Sequence, residues 1–114
     1  MGGKMSREKG KRGEREVAKL FRDYGYAGRR GQQYKGGKDS ADVMGAPGLH
    51  IEVKRTERFS LYEALAQAKR DAAGSENLPV VMHRRNESPW VVVMDFHDFI
   101  QIYREWEAGR EAHR

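Results

Sequence analysis

Leu49-His50-Ile51-Glu52-Val53-Lys54 alternates apolar and polar side chains without a break. Successive side chains of a strand point to opposite faces, so Leu49, Ile51 and Val53 share one face and His50, Glu52 and Lys54 the other. Glu52 and Lys54 therefore emerge side by side. Upstream, Gly45-Ala46-Pro47-Gly48 supplies turn residues and Ala41 to Met44 reads as a second strand, which predicts a hairpin. Such a hairpin carries Asp42 back beside Glu52.

Working towards the N-terminus, Gly31 to Lys38 is a Gly-rich polar loop and Tyr26 to Arg30 a short strand. Val17, Leu20, Phe21 and Tyr24 fall at helical spacing, predicting a helix from Gly13 to Tyr24 that Gly25 closes. Residues 1–12 lack apolar periodicity and read as a flexible basic arm. Towards the C-terminus, Ser60 and Glu63 form a capping-box pattern for a helix that runs to Ala73 and stops at Gly74. Pro79 to His83 and Trp90 to Met94 predict a second hairpin. Phe96, Phe99, Ile100 and Tyr103 then mark a last helix, from Asp95 to about Gly109, and read as core or as part of a subunit interface. The order α-β-β-β-α-β-β-α predicts one α/β domain over residues 13–114. Its sheet is expected to be five-stranded, mixed and mostly antiparallel, flanked by helices.

At 114 residues the chain suits a single core. It has no Cys, which excludes disulfide scaffolds, thiolate metal sites and cysteine nucleophiles. Apolar runs are too short for a membrane span, so a soluble, cytoplasmic protein is expected. Net charge is +5 and unevenly spread: residues 1–38 hold 12 Lys and Arg against 4 Asp and Glu, the rest 10 against 13. A basic leading third points to a polyanion, nucleic acid above all, or else to a solvated tail.

An acid, a turn, then an acid and a lysine two residues apart is the spacing of a metal-dependent nuclease. Two carboxylates offer hard oxygens to Mg²⁺. The ion polarises a phosphate and activates water, and the lysine can stabilise charge that develops on phosphorus. An isolated Glu-x-Lys pair is commonly an ordinary solvated face; the turn-spaced Asp42 adds a geometry to it. Asp39, in the Gly-rich loop, is a competing acid expected to cap or solvate that loop. On the first helix Glu14 borders the apolar stripe and Glu16 lies off it, so Glu14 is the candidate fourth member, or a partner of the helix dipole. Gln67 is a possible supporting residue, with an exposed helical glutamine as the alternative. His50 reads as a rim histidine; His83, His97 and His113 lack ligand spacing. Lys35 and Lys38 suit phosphate contact or a solvated loop.

Lys11-Arg12-Gly13-Glu14-Arg15-Glu16, Tyr24-Gly25-Tyr26, Arg29-Arg30, Ser40-Ala41-Asp42-Val43 and Ile51-Glu52-Val53-Lys54 resemble, in order and spacing, the archaeal Holliday-junction resolvases. These belong to the PD-(D/E)xK nuclease superfamily. The resemblance spans roughly residues 11–94 and implies the restriction-endonuclease-like fold. It also implies that Glu14, Asp42, Glu52 and Lys54 are catalytic, the three acids holding Mg²⁺ (or Mn²⁺), with Arg29 or Arg30 by the scissile phosphate. Together with Lys11, Arg12, Lys35 and Lys38 these arginines form the expected DNA-binding set. The expected activity is metal-dependent hydrolysis of branched DNA. A related nuclease for flaps, ends or duplex DNA, and a non-catalytic nucleic-acid-binding module, are the alternatives. The apolar residues of the last strand and helix suggest a homodimer, which would match a two-fold junction.

Overall fold

The computed structural model describes residues 2–32 and 40–113. Its elements are α1 (Gly2–Asp23), β1 (Arg29–Arg30), β2 (Val43–Met44), β3 (Leu49–Arg55), α2 (Leu61–Ala72), β4 (Leu78–Arg84), β5 (Val91–Val93) and α3 (Phe96–Ala112). This is the predicted order.

The alternation along β3 builds two layers. Ile51 and Val53 join Val17 and Ala18 of α1, Val43 of β2, and Val80 and Met82 of β4 in the main core. The opposite face is covered by α2, whose Ala64 and Ala68 meet Val81 of β4 in a smaller core. Val81 is the register partner of Glu52, so Glu52 lies under α2. Small alanines let that helix come close to the sheet, and both faces of β3 are buried.

The five strands lie in the order β1-β2-β3-β4-β5. β3 and β4 run parallel, which requires the crossover that α2 supplies, and the other three neighbouring pairs are antiparallel. The expected mixed, mostly antiparallel sheet is what forms. In the β2–β3 hairpin Gly45 adopts φ +97°, and a Cβ there would overlap the Ala27 carbonyl oxygen. Only glycine serves at that corner.

Four local expectations need correction. α1 starts at Gly2 and not at Gly13, because Lys4, Met5, Arg7, Glu8, Lys9, Lys11 and Arg12 are good helix formers and Lys9 Nζ reaches Glu57 Oε2 at 3.1 Å. The buried side of α1 is also narrower than the expected stripe: Leu20 is 42% and Tyr24 82% exposed. Its close approach comes from small residues instead, since a Cβ on Gly13 would lie 2.7 Å from Arg55 Cβ. Ser60 precedes α2 as expected, yet its side chain makes no cap hydrogen bond. Finally, α3 buries none of its residues, and Phe96, Phe99, Tyr103 and Trp106 face outward. Asp95 is its N-cap, accepting from the His97 amide at 2.8 Å.

Candidate active site

Asp42 is held where the hairpin aims it. Its amide donates to the Ile51 carbonyl at 2.8 Å, and its carbonyl accepts from the Gly31 amide at 2.8 Å. The carboxylate Oδ2 accepts from the buried Val53 amide at 2.7 Å. A side chain bonded to the backbone next to Glu52 cannot swing away. Its charge consequently acts on Glu52.

Glu52 is 3% exposed, and among the described residues its carboxylate accepts no hydrogen bond and forms no ion pair. Burial pushes its carboxyl from 4.5 up to about 8; the charge of Asp42 adds most to this after burial, with smaller additions from Asp71 and Glu14, while Lys54 opposes it. Lys54 comes off β3 two residues later, and its Nζ donates to Gln67 Oε1 at 3.3 Å. Gln67 thus meets the lysine from α2 as a neighbouring side chain and not as a bare surface residue.

Glu14 is 8% exposed and accepts from Arg30 Nε at 2.8 Å. Arg30, expected beside a phosphate, is therefore engaged by Glu14. Glu16, one residue pair along α1, does something else: its Oε1 takes Arg84 Nη1 at 2.6 Å and Trp90 Nε1 at 2.9 Å, tying α1 to the far sheet edge. The five elements α1, β1, β2, β3 and α2 accordingly bring Glu14, Arg30, Asp42, Glu52, Lys54 and Gln67 to one end of the sheet.

Two residues depart from the sequence reading. His50 does not sit on a rim; it is 1% exposed under α2. Asp71 was not singled out at all, yet single ligand atoms of His50, Glu52 and Asp71 lie within 4.8 Å of one another. The available signal was its spacing, since Asp71 follows Gln67 by four residues on the same helix face.

Lys11, Arg12 and Arg29 are exposed. Lys35, Lys38 and Asp39 lie outside the described residues. A cleft of about 840 Å³ runs beside the N-terminal half of α1, lined by Lys4, Lys9, Arg12, Arg15 and Arg55 among others. Among the described residues no helix is long and apolar enough to cross a membrane.

Compared with known protein families, residues 5–112 match the family described as "Phage putative PDDEXK endonuclease". The chain belongs to this family. No curated protein and no solved structure matches. Membership places this PD-(D/E)xK endonuclease in the superfamily its motifs resemble, and it does not single out the archaeal resolvases within it.

PD-(D/E)xK nucleases typically depend on a divalent metal. The donors here fit one: carboxylate oxygens suit hard cations, and a carboxylate as buried as that of Glu52, with no partner among the described residues, is disfavoured as an anion until a cation joins it. By the resemblance of the motifs, Asp42, Glu52 and Glu14 would hold such an ion. Bound there, it would supply Lewis-acid polarisation of a phosphate and a more acidic water. Lys54 can present its ammonium to the same end of the sheet, steadied by Gln67.

Proposed function

We propose that this PD-(D/E)xK endonuclease is a Mg²⁺-dependent endodeoxyribonuclease, with Mn²⁺ as a substitute, that cuts branched DNA inside the cell and Holliday junctions foremost. The observation that carries the catalytic reading is the Asp42 carboxylate bonded to the Val53 amide beside the buried Glu52, which has no partner among the described residues. Asp42, Glu52 and Glu14 hold the metal. Lys54 stabilises charge on the phosphorane, Gln67 positions Lys54, and Arg29 or Arg30 contacts the phosphate next to the cut. The preference for junctions, and with it a place in recombination and repair, rests on the order and spacing of the motifs.

Labelled junction, flap and duplex DNA, incubated with Mg²⁺ or with EDTA, test this on one gel. The expected result is cutting of the junction in Mg²⁺ alone. Cutting of flaps, ends or duplex in its place would make the enzyme a related nuclease. Binding without metal-dependent cutting would reduce it to a DNA-binding module.

Lys54→Ala is expected to lose ~10²–10³ in cleavage rate, the usual cost of one preorganised charge contact at a reacting centre, with little change in melting temperature. An active variant would return Lys54 to a solvated strand face.

The basic segment 1–12 contributes affinity and not chemistry. Lys4, Arg7, Lys9, Lys11 and Arg12 oppose only Glu8, and each phosphate contact adds roughly −0.9 to the slope of log K against log salt on B-DNA. Deleting residues 1–10 is expected to weaken binding and flatten that slope. An unchanged slope would mean the segment does not touch DNA.

Two copies would place two sites on a two-fold junction. The candidate surface is the outward face of α3 with Val91 and Val92 of the edge strand β5, both exposed. Light scattering is expected to give twice the 13.1 kDa chain mass. A mass near one chain, with and without DNA, would favour flap or end cutting.

A further inference from the structure

The geometry points to a second cation site on the inner side of the first, formed by His50, Glu52 and Asp71 and selective for a divalent transition-metal ion. The inference rests on the catalytic reading in one respect, since Glu52 belongs to both sites.

The residues reach one point from two elements. His50 and Glu52 are two apart on β3 and share the face under α2, while Asp71 comes down from the last turn of α2. One ligand atom from each lies within 4.8 Å of the other two. Ligands about 2.1 Å from a common ion are separated by no more than roughly 4.2 Å, so small side-chain adjustments close the set.

A second observation points to a ligand. Glu52 and Asp71 are neighbouring acids, Glu52 is 97% buried, and among the described residues neither carboxylate accepts a hydrogen bond or forms an ion pair. Lys54, on the same strand face, spends its Nζ on Gln67 instead. Two acidic side chains facing each other below a helix, one of them buried, suit a positive partner. A divalent ion meets both acids at once.

The imidazole sets the selectivity. Oxygen-only sites favour Mg²⁺ and Ca²⁺, whereas a nitrogen ligand with two carboxylates favours Mn²⁺, Co²⁺ or Zn²⁺. A metal-bound imidazole uses one ring nitrogen and keeps the other for an orienting contact, so the site leaves His50 its second nitrogen. Such an ion would join α2 to β3 beneath the catalytic end and fix the rotamer of Glu52 from below.

Cobalt(II) is a suitable probe because its visible absorption reports nitrogen ligation. The full chain, stripped with EDTA, would be titrated with Co²⁺ by calorimetry and by absorption, alongside Asp71→Asn, His50→Gln and Asp42→Asn, each checked for folding by circular dichroism. The wild type is expected to bind two ions. Asp71→Asn, at a half-buried position that tolerates an isosteric amide, should weaken one of them at least tenfold, and that ion should carry the nitrogen-ligated absorption. His50→Gln should remove the same absorption; should this buried variant fail to fold, Asp71→Asn alone decides. A wild-type stoichiometry of one, or two ions bound unchanged by folded Asp71→Asn, overturns the inference. Asp42→Asn is expected to lose the other ion and keep the nitrogen-ligated one. If it loses neither, the catalytic reading fails while the inner site stands.

Discussion

Asp42→Asn and Glu52→Gln are each expected to abolish cleavage in Mg²⁺ while sparing, or tightening, DNA binding. The metal supplies several kcal/mol of transition-state charge stabilisation, and each ~1.4 kcal/mol is a factor of ten, so losing a ligand should cost at least ~10³ in rate. Folding should survive both changes. Asparagine keeps an oxygen for the Val53 amide, which in the wild type donates its hydrogen bond to the Asp42 carboxylate at 2.7 Å. Glutamine replaces a buried side chain that forms no hydrogen bond or ion pair among the described residues. Binding can tighten because a negative charge facing the phosphate is removed. Cleavage assays and gel shifts on the same preparations separate the two effects. Either variant cutting at the wild-type rate would make that carboxylate a structural residue of the hairpin and not a metal ligand.

The second large effect is on stability and has a definite sign. Without metal, the folded Glu52 holds its proton up to about pH 8, while the unfolded chain releases it near 4.5. Between those values the folded state binds more protons, so stability should fall as pH rises through that window and level off above it. At ~1.4 kcal/mol per pH unit the whole span is on the order of 5 kcal/mol. Glu52→Gln should flatten the curve and be the more stable form at pH 8 in EDTA. Adding Mg²⁺ should restore the wild type and leave the variant largely unmoved. Glu57, lowered chiefly by the Asn86 amide, and Asp95, lowered chiefly by the His97 amide, act in the opposite sense and only at acid pH. They do not reach into the Glu52 window. Thermal melts at pH 5 and pH 8 in EDTA measure the difference, and equal melting temperatures would remove the claim that Glu52 is ionised at a cost.

The outer shape of the site was legible because β3 advertises itself. Six alternating residues separate Ile51 and Val53 from His50, Glu52 and Lys54, and the Gly45–Gly48 turn fixes where Asp42 returns. Glu14 over Glu16 was also readable from the helical wheel of α1. Reading stopped where contacts span elements far apart in sequence. That Arg30 engages Glu14, or that Asp71 stands over His50, depends on how closely α1 and α2 press on the sheet, which Gly13, Ala64 and Ala68 decide and periodicity does not report. His50 was misplaced for the same reason: alternation assigns a face, and only the alanine side of α2 makes that face dry. The aromatic spacing of α3 left core and subunit interface both open because periodicity measures a face without saying what covers it.

β3 carries hydrophobic core on its odd positions and chemistry on its even ones, paired residue for residue with β4 from Leu49 to Arg55. A single inserted or deleted residue inside that run would exchange the two sets, turning Ile51 and Val53 towards α2 and Glu52 and Lys54 into the apolar layer under α1. No compensating point mutation restores both faces. Length variation among descendants of this chain should therefore be confined to the segments outside 49–55, with those seven positions inherited as one indivisible block.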